Sequence, residues 1–167
     1  DYDIVYCGSV SGRNGLIETL LNLAKSYKIL VVGKLTIEDR DLLNSKNITL
    51  IGAVNRELLP EIYKNARFGL NYTPDIYPYN IQTSTKTLEY LASGLKVISN
   101  RYEWAEYFFK KINYQPFWLS NDTTLDITKS ENLNGFNYSV MKDYSWENIL
   151  SHSNFEGFLR EVVNESI

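Results

Sequence analysis

Short apolar runs, nearly all closed by a glycine or a polar turn and spaced by segments of helical periodicity, constrain this chain more than any other feature. Ile4-Val5-Tyr6 precedes a turn at 8–15 that carries Gly8, Gly12 and Gly15. Apolar residues at 16, 17, 20, 21 and 23 then predict a helix over 16–26. The runs 28–32 and 47–51 end at Gly33 and Gly52, with a short polar helix expected between them over 37–43. A helix over 56–65 accommodates Pro60 only in its first turn. Strands over 68–72 and 96–99 flank a Pro-containing loop at 73–82 and a helix over 84–93 that stops at Gly94. Helices over 103–111, 146–151 (capped by Ser145) and 155–164, a sixth strand over 115–119 and a polar, turn-rich stretch over 120–137 complete the reading. Such alternation specifies an α/β fold, a Rossmann-like doubly wound parallel sheet of about six strands. Ligands of these sheets bind beyond the carboxyl ends of the strands, where the loops at 8–15, 52–55, 72–85 and 99–102 fall.

Composition excludes several classes. A chain of 167 residues, 44% apolar, has room for one domain, 1–167, with a sizeable core. A net charge of −3 argues against nucleic acid as a partner. One Cys and one His leave no internal disulfide and no Cys/His zinc site. No apolar run is long enough to span a bilayer and no signal peptide precedes the first strand, so the expected surroundings are cytoplasmic. The start on Asp1, without an initiator Met, reads as a fragment.

The segment from Thr83 to Ile98 carries the chemistry. Ser84 and Thr85 suit the start of a helix whose unpaired N–H groups and partial positive charge attract a phosphate. Lys86 sits in its first turn, and Glu89, three residues on, is placed to accept hydrogen bonds from sugar hydroxyls. The combination points to a nucleotide-sugar site. A solvated Lys86–Glu89 pair is the plainer alternative. The acidic pairs Asp39/Asp41 and Asp122/Asp126 read as solvated faces, His152 as a surface or packing residue, and residues 8–15 as a flexible turn slightly more than as a phosphate cradle. Among 13 tyrosines, Tyr77 and Tyr79 are equally well explained by carbohydrate contact and by a composition bias; for Tyr72, Tyr102 and Tyr107 the bias is favoured.

In the order 4–6, Gly8, 28–33, 47–54, 58–63 and 86–98, the sequence resembles the C-terminal, nucleotide-sugar-binding half of a GT-B glycosyltransferase of the family 4 type (glycosyl transferases group 1). The resemblance covers roughly residues 3–110, and its specific block is Lys86-Thr87-Leu88-Glu89-Tyr90-Leu91-Ala92-Ser93-Gly94. It implies a metal-independent, bacterial hexosyltransferase of polysaccharide biosynthesis, working in the cytoplasm at the inner membrane face by peripheral association. No cofactor is implied beyond a nucleotide diphosphate sugar as substrate. Lys86 and Glu89 become the catalytic candidates, with Gly8, Ser9, Arg13, Gly52, Val54, Ser84 and Thr85 around the nucleotide. Gly52-Ala53-Val54 would meet the base, and Tyr79-Asn80-Ile81-Gln82 would present backbone N–H groups to the donor sugar. The pattern departs where the family's first acidic residue falls on Ile81 and its basic loop residues fall on Ser9 and Asn14; Arg13, one position off, is the candidate substitute. A glycan or lipid-linked acceptor would bind a missing N-terminal domain, to which a crossover helix over 154–167 would return, and the chain alone would be inactive. A nucleotide-sugar epimerase and a non-catalytic binding or interaction domain on the same fold are the alternatives.

Overall fold

The computed structural model describes residues 1–120, 125 and 136–164. They form two compact units, 1–136 and 137–167. In the first, β1 (Tyr2–Cys7), β2 (Ile29–Val32), β3 (Ile48–Ile51), β4 (Ala66–Asn71), β5 (Lys96–Ser99) and β6 (Phe117–Trp118) make one sheet in the order β3-β2-β1-β4-β5-β6. Every neighbouring pair is parallel. Helices α1 (Leu16–Leu23), α2 (Ile37–Leu42), α3 (Leu59–Tyr63), α4 (Thr85–Ala92) and α5 (Glu103–Lys111) alternate with the strands. This is the expected Rossmann-like α/β sheet, and its strand order reverses direction between β1 and β4.

The central strands are apolar on both faces because helices cover both. Ile4, Val5, Tyr6 and all of Ile29–Val32 are buried, and Ile4, Tyr6, Ile29 and Val31 pack with Leu16, Leu20, Leu23, Phe68 and Ile98. Burying a Leu, Ile or Phe side chain stabilises by about 1.5–3 kcal/mol, so this cluster dominates the stability of the unit. Edge strand β3 alternates partly buried with exposed residues. Gly69 admits the ring of Tyr90: a Cβ there would lie 2.3 Å from it. Helix boundaries shift only at the ends; α1 stops at Leu23, and Arg56–Leu58 is a 3₁₀ turn that places Pro60 in the first turn of α3, where it costs no helical hydrogen bond.

The second unit holds a 3₁₀ segment, Tyr138–Tyr144, then α6 (Trp146–His152) and α7 (Phe155–Asn164). Ser145 caps α6 by accepting from the Asn148 N–H at 3.2 Å, as its position implies. The exposed ring of His152 lies 2.6 Å from the Asn148 carbonyl at the end of that helix, a surface role. The apolar stripe of α7, Phe155, Phe158, Leu159, Val162 and Val163, is 41–58% exposed. Asp122 and Asp126 lie outside the described residues. No described helix is long and apolar enough to cross a membrane.

Candidate functional site

The site is built where the sheet changes direction. Beyond the ends of β1 and β4, residues 8–15 and 72–84 face each other, and Ser9, Ser11, Gly12, Arg13, Pro74 and Tyr79 line a cleft of about 180 Å³. Three residues expected from the sequence, Ser9, Arg13 and Tyr79, therefore share one cavity. The first loop is ordered rather than a loose turn. Val10 is buried, the Tyr6 hydroxyl donates to the Ser9 carbonyl at 2.8 Å, and Arg13 Nε donates to the same carbonyl at 3.2 Å.

Lys86 reaches the switch point from α4. Its Nζ lies 3.4 Å from the Tyr72 carbonyl and 5.2 Å from the centre of the Tyr6 ring, and a Cβ built on Gly8 would touch its Cε at 3.8 Å. Gly8, with φ +145°, lets the backbone pass this close. Among the described residues no carboxylate pairs with Lys86 or Arg13; the ion pairs are Arg56–Glu89, Glu61–Lys64, Asp3–Arg67 and Arg101–Glu106. Burial, reinforced by the charge of Arg13, pushes the Lys86 amine down to about 7. Burial likewise pushes Tyr6 up to about 12 and raises the Cys7 thiol. The half-buried amine thus sits among neutral groups with a second cation nearby.

Glu89 turns away from Lys86, so the plain solvated pair between them does not form. One carboxylate oxygen pairs with Arg56, and the other accepts from the Tyr63 hydroxyl at 3.2 Å. Tyr63 is buried and meets Tyr90 edge-on at 5.3 Å, while the Tyr90 hydroxyl accepts from the Cys7 N–H at 2.9 Å. Arg56 and Tyr63 were not legible as partners in the sequence, since they lie 33 and 26 residues from Glu89. Gly52 and Val54 lie past the end of β3, outside the cleft of Ser9, Arg13 and Tyr79. The chain that follows them is tied to α4 through Arg56.

The start of α4 is fixed by a buried network that the sequence did not announce. Ser84 Oγ accepts from the Thr87 N–H at 3.3 Å, the expected cap, and donates to Asn71 Oδ1 at 2.9 Å. Asn71 Nδ2 donates to Ser99 Oγ at 2.9 Å and to the Tyr102 hydroxyl at 3.0 Å. The Ser84 side chain is therefore spent on structure. Thr85, which is exposed, and Lys86 occupy the first helical positions, whose N–H groups have no intrahelical acceptor.

Two expectations need correction. Three of the four backbone N–H groups of the 79–82 loop are engaged within the turn in this conformation, Asn80 with Ile76, Ile81 with Pro78 and Gln82 with Tyr79. Ile81 and Gln82 stay exposed, the Asn80 Oδ1 is buried without a hydrogen-bond partner, and the Tyr79 side chain reaches the cleft. Asp39 is not on a solvated face; it is 6% exposed, because a cap and a loop contact enclose it. Its neighbour Asp41 is exposed, as expected. Tyr102 is likewise buried and bonded, whereas Tyr77 and Tyr107 stand in solvent.

A parallel sheet of this order, with a cleft at its switch point, defines a Rossmann-like α/β domain. The chain belongs to the glycosyl transferase-like family, whose model matches residues 13–122. Its fold is similar to that of AviGT4, a glycosyltransferase involved in avilamycin A biosynthesis, at TM-score 0.69 and 16% identity. That match covers 96% of this chain and 51% of AviGT4, so the chain spans about half its length. Weaker overlaps exist with OtsA (TM-score 0.49, 8% identity, 82% of this chain and 37% of that one) and with the glycosyltransferase GlyE of Streptococcus pneumoniae TIGR4 (0.43, 13%, 86% and 31%). No curated protein matches it in sequence.

Proposed function

We propose that this glycosyltransferase domain binds the nucleotide diphosphate sugar donor, and that its cleft holds the diphosphate. The carrying observation is Lys86, a half-buried amine that does not itself line the cleft and has no carboxylate partner among the described residues, close enough to Arg13 in the cleft for that second cation to lower its pKa. Drawing a cation partly out of water is costly unless a counter-charge arrives, and a diphosphate supplies one. Glu89, oriented by Arg56 and Tyr63, keeps lone pairs free for the ribose hydroxyls. Residues 52–54 face the base, and Tyr79 the donor sugar.

As the bond from the sugar to the diphosphate breaks, negative charge grows on the leaving oxygens. Lys86, Arg13 and the α4 N-terminus stabilise that charge, which is the domain's contribution to catalysis. No metal takes part in this scheme. The acceptor, a glycan or lipid-linked hydroxyl, and the group that activates it belong to a second domain. Titration calorimetry with UDP, GDP and ADP, with and without Mg²⁺, tests the reading. Binding of at least one without the metal is expected; none bound at millimolar concentration rejects it.

A further inference from the structure

The first loop is held by a residue 28 positions further along the chain. Helix α2 opens with a reciprocal cap: Thr36 Oγ1 accepts from the Asp39 N–H at 3.0 Å, and Asp39 Oδ2 accepts from the Thr36 N–H at 2.9 Å. Such a cap is complete by itself and leaves the carboxylate open to solvent. Here the same oxygen accepts a second bond, from Ser11 Oγ at 2.5 Å, and Asp39 is 6% exposed. Ser11 lies between buried Val10 and Gly12, and the turn closed by Arg13 N–H to the Val10 carbonyl at 3.3 Å brings Arg13 back over the cleft. Ser11 and Arg13 both line that cleft, whereas Asp39 does not. A charged hydrogen bond of this kind is stronger than the neutral bonds that otherwise hold the loop.

We propose that Asp39 is a positioning residue, which through Ser11 fixes the 9–13 loop in the shape that presents Arg13 and the loop amides to the diphosphate. The role rests on the diphosphate reading given above. Fixing the loop in advance removes the entropy of ordering it when the ligand arrives, so its loss weakens the diphosphate end and spares the ribose end, which Glu89 serves on another element.

Wild type, Ser11→Ala, Ser11→Thr, Asp39→Ala and the Ser11→Ala/Asp39→Ala double variant are titrated with UDP, GDP and ADP and with uridine, guanosine and adenosine. Ser11→Ala and Asp39→Ala are each expected to lower diphosphate affinity about tenfold and leave nucleoside affinity within about twofold. The double variant should bind no more weakly than the weaker single one, since both break one link. Ser11→Thr, which keeps the hydroxyl, should match wild type. Asp39→Ala also removes the α2 cap, but Ser11→Ala leaves it intact. A folded Ser11→Ala with unchanged diphosphate affinity, or single losses that multiply in the double variant, overturns the positioning role and leaves the nucleotide reading standing. Failure of wild type to bind any of the three diphosphates overturns both.

Discussion

At the residue scale, Lys86 sets stability against function. Its amine is held at about 7 in the folded protein and returns to its ordinary value, 10.5, in the unfolded chain. Between those values the unfolded state carries more protons, so the burial penalty, complete below about pH 7, is relieved as pH rises through that window. Lys86→Met is therefore expected to raise the Tm at pH 7 and to weaken diphosphate binding, read by thermal denaturation and calorimetry. A diphosphate favours the ammonium, so binding near pH 7 should be accompanied by proton uptake at Lys86, and affinity should fall from pH 7 to 9. Tyr6, Cys7, Tyr72 and Arg13 surround the amine, and the raised values of Tyr6, Cys7 and Tyr72 leave Lys86 to dominate near pH 7. Equal heats in buffers of different ionisation enthalpy would contradict the proton uptake. Lys86→Ala should weaken diphosphates far more than nucleosides, whereas Glu89→Gln should weaken both alike. Losses of roughly tenfold to a hundredfold match hydrogen bonds to charged groups.

At the element scale, the β4–α4–β5 unit depends on Asn71. Its amide joins the end of β4 to the α4 cap, to Ser99 on β5 and to Tyr102 before α5, all away from water. Asn71→Ala removes these three buried bonds, although Ser84 keeps its bond from the Thr87 N–H and Ser99 its bond to the Asn100 carbonyl, and any buried group left without a partner costs roughly 1–3 kcal/mol. A clear drop in the urea midpoint is expected, and an unchanged midpoint would show that water replaces the amide. Gly69→Ala drives a methyl into Tyr90 and is expected to cost about 1–3 kcal/mol by the same measurement. The strands and α4 were legible beforehand, because apolar run length, Ser84 at the cap and Gly94 at the stop are local signals. Asn71 was not: an Asn ending a strand looks like any turn residue until two strands and two helices surround it.

At the scale of the whole molecule, the apolar stripe of α7 is 41–58% exposed. Under the proposed function it docks on the acceptor-binding domain, so hydrogen exchange across residues 155–163 should be fast in this chain and slow in a longer protein that contains that domain. Core-like protection in the 167-residue chain alone would reject the docking. The longer protein should also transfer sugar where this chain does not, since donor binding by itself orients no acceptor.

The sequence by itself determined the alternation of strands and helices, the parallel sheet and the block from Ser84 to Gly94, because periodicity, caps and glycine stops act over a few residues. Only the tertiary structure decided which side chains complete the site. Arg56 and Tyr63 meet Glu89 from a different helical segment, Asp39 holds Ser11 from 28 residues away, and Lys86 loses a carboxylate partner it was equally placed to find. Those outcomes depend on where rigid elements carry long side chains in three dimensions. Charge and hydrogen bonding act over a few ångströms of space, whatever the separation along the chain.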